Sequence, residues 1–332
     1  MDLALQSLTE TLEKVDYRLE SGTHAASRVW PTGFQPLDSY LSGGFRSGDL
    51  ILLGGPQGLG KSTLALQIAR NVARGGRPAV VFSYEHDQES LLARLVALEA
   101  GFTGVERPVD LQRVREAFES PEGGRSLAER LAGTNGGVEA LHEVARYADL
   151  LSLHRSSGRD TDLAAIIAGI DDVAARAGTR PLVVVDYLQK VPVPGREADE
   201  QERTTMIAEG LKDLALDHEI PVVAIVAADK EGLAAGNRMR VSHLRGSTAL
   251  AYEADTVLLL NNKYDMVAKH HIVYDTTNVS KFRKFVVLSL EKNRSGVTGV
   301  DMEFLKRLDQ GRFEPHGQLV SEQLIEERLY AD

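Results

Sequence analysis

The chain has 332 residues, 43% hydrophobic and 26% charged, enough to build one large globular core or two small ones. It has no cysteine, which excludes a disulfide scaffold, thiolate metal sites and cysteine nucleophiles. Its formal net charge of −10 argues against a general basic coat for nucleic acid, but leaves room for basic residues concentrated on one face.

In chain order, Leu5, Leu8, Leu12, Val15 and Leu19 form a narrow apolar stripe at helical spacing. Such a helix either packs on its own domain or docks on a neighbouring subunit. The N-terminus lacks a basic stretch followed by an apolar run, and no segment approaches the roughly 20 apolar residues of a membrane span. A cytoplasmic chain with no membrane partner is therefore expected. The small and polar stretch from Ser21 to Ser27 separates the helix from the rest of the chain, so residues 1–27 are read as a linker-type helix and linker. Apolar runs at Leu50–Leu53, Ala79–Ser83, Leu182–Asp186, Val222–Val226, Thr256–Leu260 and Phe285–Leu290 predict strands, with helical patterns between the first four. That order predicts an α/β fold with a mainly parallel, twisted sheet and helices on both faces, over residues 28–315. Residues 101–150 read as a helical excursion between strands. Lys263–Lys284 reads as a mobile surface excursion whose adjacent His270 and His271 do not chelate one metal. Residues 316–332 read as a terminal helix or tail.

The string Gly55, Pro56, Gln57, Gly58, Leu59, Gly60, Lys61, Ser62 matches GxxxxGK[ST] in full, after the strand Leu50–Leu53 and before the helical run that starts at Thr63. Its glycines let backbone N–H groups turn inward around phosphate oxygens, and the helix N-terminus adds partial positive charge. Lys61 is expected to reach the β- and γ-phosphates of ATP and Ser62 to ligate Mg²⁺. The second acid-bearing strand ends at Asp186, placed to hold the Mg²⁺ shell. Glu85 directly follows Ala79–Ser83, at the strand end where open parallel sheets bind ligands, and is placed to orient or deprotonate an attacking water.

Several strings together resemble the C-terminal motor domain of DnaB-type helicases, a RecA-like P-loop NTPase fold. They are Thr32-Gly33-Phe34 with Leu37-Asp38, Gly43-Gly44, Gly48-Asp49-Leu50, Phe82-Ser83-Tyr84-Glu85, Asp186-Tyr187-Leu188-Gln189 and Glu291-Lys292-Asn293-Arg294-Ser295-Gly296. The likeness spans about residues 28 to 315. It implies an ATPase that acts as a hexameric ring on single-stranded DNA, with nucleotide sites between subunits. It assigns Glu85 as the catalytic acid, and Lys292 with Arg294 as residues that reach a neighbour's γ-phosphate. Two residues apart at a strand end, both cations can point to one face, and Arg294 would offer a permanently charged fork to the phosphoryl group. The resemblance also places the N-terminal helix where the family has a linker helix docked on the adjacent subunit.

The sequence departs from the pattern in three places. It carries none of the family's N-terminal helical domain. The fourth core strand ends at Ala227 and Ala228, where the family has a polar pair whose Gln couples the γ-phosphate to the DNA loops. The stretch after Gln189, VPVPGREADEQE, is acidic where a DNA-facing loop should not repel phosphate. The later loop, with Lys230, Arg238, Arg240 and Arg245, is the best nucleic-acid candidate, the alternative being a solvated basic loop. Two functions are compatible with these features: a DnaB-like motor that hydrolyses ATP and translocates on single-stranded DNA, or a nucleotide-switched assembly ATPase of the same fold without unwinding.

Overall fold

The computed structural model describes residues 5–21, 28–121, 123–195, 199–229, 238–268, 270–273 and 277–325. The N-terminal helix α1 (Leu8–Glu20) is closed at its start by a capping box between Ser7 and Glu10. Next in order are β1 (Val29–Trp30), α2 (Leu37–Tyr40), β2 (Phe45–Arg46), β3 (Leu50–Gly54), α3 (Lys61–Arg74), β4 (Ala79–Ser83) and α4 (Gln88–Ala100). Between α4 and the next strand lie α5 (Leu111–Glu119), α6 (Leu127–Leu131) and α7 (Gly137–Ala145). Then come β5 (Leu151–Arg155), α8 (Leu163–Ala177), β6 (Leu182–Asp186), α9 (Glu200–Asp217), β7 (Val222–Ile225), α10 (Ser247–Glu253) and β8 (Thr256–Asn262). Last are α11 (Lys263–Met266), α12 (His270–Val273), α13 (Thr277–Phe282), β9 (Phe285–Asn293), β10 (Val300–Arg307), β11 (Arg312–Phe313) and β12 (Gln318–Leu319).

One large sheet runs in the order β11-β10-β9-β8-β3-β7-β6-β4-β5, with β12 on β10. From β8 through β5 all neighbours are parallel, and β9, β10 and β11 extend the sheet antiparallel. The central strands are apolar without a break because both faces are covered. Ile51, Leu53, Val81, Val184 and Val223 turn to the face packed by α3 and α4. Their neighbours Leu50, Leu52, Val80, Val183 and Val222 turn to the face packed by α8 and α9. All five strands β3, β7, β6, β4 and β5 therefore deliver their carboxyl ends to one edge.

Of the two readings left open for the leucine stripe of α1, packing on its own domain is not what the structure has: none of the helix is buried, and Leu8 and Leu19 are 76% and 62% exposed. Two expectations need correction. Lys263–Lys284 is not wholly a surface excursion. Lys263 is buried, paired with Glu303 and with Glu322 at 2.7 Å, and Met266 and Phe282 are buried beside it. The charge of Lys263 is neutralised by acids distant in sequence, while Lys281, Arg283 and Lys284 are exposed. Of the C-terminal stretch, residues 316–325 form no helix but add β12 and a bridge from Leu324 to Val267; residues 326–332 lie outside the described residues.

Across α3 and α4 the Arg70 guanidinium holds the Glu99 carboxylate by two nitrogens, with both side chains buried. Removing one member of such a pair strands the other charge. Arg70→Met should therefore lower unfolding stability by about 3–5 kcal/mol in urea titration, whereas Arg70→Met/Glu99→Leu should recover most of that loss. Equal losses in both would mean that packing, not the stranded carboxylate, sets the cost.

Candidate active site

The loop after β3 is fixed by close backbone approaches. A Cβ on Gly55, at φ +153°, would lie 2.8 Å from the Leu260 carbonyl oxygen of β8. One on Gly60, at φ +92°, would lie 2.8 Å from Phe313 Cζ of β11. Both positions thus require glycine on steric and conformational grounds, whereas the space beside Gly58 is open. Gly60 leads directly into α3, and the Lys61 ammonium donates to the carbonyls of Gly55 at 2.8 Å and Pro56 at 3.1 Å. Thr63 and Leu59 are buried.

Beside this loop lies a cavity of about 520 Å³. Gly55, Gln57, Gly58, Gly60, Lys61, Ser62 and Thr63 line it from the loop and α3, and Glu85 and Asp186 from the ends of β4 and β6. Pro56 and Leu59 are not among the described residues that line it. The acids meet because β4 and β6 are paired in register, Ser83 opposite Asp186. The Tyr84 N–H donates to the Asp186 carbonyl at 2.7 Å, and the buried Ser83 hydroxyl accepts from the His86 N–H at 3.0 Å, so the turn that carries Glu85 is pinned. In the sequence Ser83 stands only as part of the string Phe82-Ser83-Tyr84-Glu85, with no role of its own.

The electrostatics are those of one buried carboxylate, Asp186, beside the half-buried Lys61 and the exposed Glu85. Burial pushes the Asp186 carboxyl up to about 6, against the Ser62 hydroxyl that lowers it; the charge of Glu85 adds to the rise, and Lys61 and Arg94 oppose it. Burial also lowers the Lys61 ammonium, while Asp186 and Glu85 support its charge. The oxygen donors of Ser62 and Asp186 suit a hard divalent cation such as Mg²⁺.

Two further cavity residues were missed. Arg94 of α4 lines the cavity, its Nε is buried without a hydrogen-bond partner, and its Nη2 lies 3.4 Å from His86 Nε2. Burial is the first cause that lowers both groups, and each is further lowered by neighbouring arginine charge. The available signal was an arginine at helical spacing between Leu91 and Leu98, inside an apolar stripe.

Lys292 and Arg294 do share one direction, but it is not this cavity, among whose described lining residues neither occurs. Lys292 Nζ donates to the carbonyls of Ala251 at 2.6 Å and Tyr252 at 3.3 Å; Arg294 Nη2 donates to the Tyr252 carbonyl at 2.6 Å and Nη1 pairs with Asp255 at 3.0 Å. Both cations thus cap the C-terminal end of α10, where the helix offers free carbonyls.

Two of the four basic candidates, Arg238 and Arg240, are committed elsewhere, which counts against them as a nucleic-acid surface. Arg238 is buried and pairs with Asp301 at 2.6 Å, and Arg240 pairs with Glu291 at 2.6 Å. Lys230 lies outside the described residues. Arg245 differs: its half-exposed side chain pairs with Glu200, and the residue lines the phosphate-loop cavity. At Ala227, the position without a polar side chain, Gln189 steps in. Its Oε1 accepts from the Ala227 N–H at 3.2 Å and its Nε2 donates to the Arg245 carbonyl at 3.3 Å.

A family model, DnaB-like helicase C terminal domain, matches residues 30–314. The chain belongs to this family. It is 27% identical over 260 residues to the replicative DNA helicase DnaB of Leifsonia xyli subsp. xyli, covering 77% of this chain and 52% of that one. It is 26% identical over 286 residues to that of Geobacillus stearothermophilus, covering 84% and 55%. The chain thus spans about half the length of the curated relatives it matches. Among solved structures, a DnaB-like replicative helicase, described with its interactions with primase, superposes with a TM-score of 0.69 at 21% identity, covering 94% of this chain and 68% of that one. A KaiC-like protein from Pyrococcus horikoshii gives 0.53 at 14% identity, covering 88% and 98%. The RecA-like fold read from the sequence is therefore the fold of the chain. No helix among the described residues is long and apolar enough to cross a membrane.

In this DnaB-type domain burial pushes the Asp186 carboxyl up to about 6 from an ordinary 3.8. Its ionisation opposes folding fully above pH 6, partly between 6 and 3.8, and not below. Asp186→Asn should accordingly raise the melting temperature at pH 7.5 by roughly 2–4 °C, with the gain shrinking to nothing as pH falls through that window. A variant that melts lower than wild type at pH 7.5 would contradict the assignment.

Proposed function

We propose that this chain is an ATP-hydrolysing motor of the DnaB type, working in a ring on single-stranded DNA with each nucleotide site shared between neighbours. One observation carries the reading: Lys61, Ser62, Glu85 and Asp186 surround a single cavity, whereas Lys292 and Arg294 lie together away from it. On this reading the chain supplies the loop and the two acids to its own site, and Lys292 and Arg294 to a neighbour's.

In this reading the loop from Gly55 to Gly60 presents N–H groups to the phosphates of ATP and Lys61 counters their charge. Ser62, with Asp186, would hold Mg²⁺, which when bound neutralises charge on the phosphate oxygens. Glu85 orients the attacking water and accepts its proton. Lys292 and Arg294 of an adjacent subunit steady the charge that builds on the transferred phosphoryl group. The exposed stripe of α1 docks on a neighbour, which supports a ring, with six subunits the favoured number. Of the nucleic-acid candidates among the described residues, Arg245 has the most exposed side chain and would be the one to meet a DNA phosphate. Its pair with Glu200 is half exposed and worth only about 0.2–1 kcal/mol.

Subunit mixing tests this directly. Lys61→Ala, Glu85→Gln and Arg294→Ala should each lower ATP turnover at least about a hundredfold; Glu85→Gln should still bind nucleotide. Lys61→Ala mixed with Arg294→Ala, under conditions where subunits exchange, should regain activity, because some interfaces pair an intact loop with an intact arginine. No regain despite demonstrated exchange would count against a shared site.

A further inference from the structure

The strand that carries Lys292 and Arg294 is irregular at one point. β9 pairs with β8 as Leu258↔Leu290 and then Val257↔Lys292, so Glu291 is the extra residue of a β-bulge. A bulge interrupts the two-residue alternation of a strand and re-aims the residues beyond it. Without it, Lys292 and Arg294 would exchange faces with their neighbours. The bulge therefore decides that both cations run to the Tyr252 carbonyl.

Something must hold Glu291 in place, since an extra residue forms no regular ladder pair. Its carboxylate accepts from Arg240 Nη1 at 2.6 Å and lies 3.6 Å from Arg238 Nη2. Arg238 Nη2 also reaches Asp301 at 2.6 Å, and the Ser289 hydroxyl on β9 donates to the same carboxylate oxygen at 2.6 Å. The backbone between the two arginines is fixed as well: the Met239 N–H donates to Asn261 Oδ1 at 2.7 Å, and Asn261 Nδ2 returns a bond to the Met239 carbonyl at 3.3 Å. Glu291 and Arg238 are only 12% and 7% exposed, so solvent screens the pair little. Residues 238–240 thus strap β8, β9 and β10 together at the bulge.

We propose that Glu291, gripped by Arg238 and Arg240, is a positioning residue for Lys292 and Arg294. It sets the bulge that aims them, and it ties their direction to the segment ending at Arg240. The arginines that resemble a nucleic-acid surface in sequence serve instead to orient the outward-facing cations. This rests on the proposed role of Lys292 and Arg294 at a neighbouring nucleotide site.

The test uses the full chain and steady-state ATP turnover. Glu291→Gln removes the charge while keeping the size. A positioning role predicts that kcat falls by roughly ten- to a hundredfold, with KM for ATP changed less than about twofold, because the lost contact acts on the transition state. It also predicts a pattern under subunit mixing. Glu291→Gln mixed with Lys61→Ala should regain activity, since Lys61→Ala supplies well-aimed cations; mixed with Arg294→Ala it should not. Arg240→Met should reproduce the pattern more weakly, and it takes over the test if Glu291→Gln does not fold. Turnover within about twofold of wild type, or a loss that Lys61→Ala does not rescue, would overturn the proposal. Arg294→Ala is the control. If it is as active as wild type, the shared-site reading fails. If it is inactive beside a fully active Glu291→Gln, only the positioning role fails.

Discussion

The structure turns on a conflict between burial and charge at one edge of the sheet. The valine-rich strands that make the core stable also carry Asp186 out of water, and its carboxyl rises to about 6 as a result. Glu85 stands beside it because Ser83 and Asp186 are register partners. Lys61 supplies opposing charge, yet burial lowers its own affinity for a proton. In the proposed function a phosphate beside Lys61 and a divalent cation beside Asp186 would relieve these charges. On that reading the cost in stability and the capacity to bind would be one property of the same residues.

A second division of charge complements the first. The described chain spends most of its remaining interior cations on fixed partners: Arg70 on Glu99, Lys263 on Glu303, Arg238 on Asp301. Lys292 and Arg294 stand apart from these. They rest on helix carbonyls and on Asp255 at an exposed end of α10, next to Tyr252, which is 73% exposed. Lys292 is held by backbone carbonyls alone, which grip a cation less tightly than a carboxylate does, whereas Arg294 also pairs with the buried Asp255; in the proposed function both would have to leave these partners to meet a neighbour's phosphate.

Legibility in the sequence tracked burial. β4 and β6 were readable to the residue, since a strand covered on both faces is an unbroken apolar run. The edge strand β5, Leu-Ser-Leu-His-Arg, and the alternating β10 were not read as strands, because one side of each meets solvent or polar partners. The phosphate loop was legible because its glycines answer to local geometry. The fates of Arg238, Arg240 and Lys263 were not. Each is decided by an acid some 40 to 60 residues away, and charge in a sequence reads as solvated until its partner is known. The exposure of the α1 stripe was undecidable for the same reason, whereas its helical spacing was plain.

Electron microscopy of the protein with a non-hydrolysable ATP analogue, with and without single-stranded DNA, tests the central claim most directly. We predict closed rings in which Lys292 and Arg294 of one subunit leave Tyr252 and face the γ-phosphate held at Lys61 of the next. Particles in which the phosphates are contacted only by residues of the chain that binds them, with Arg294 still on its own Asp255, would contradict it.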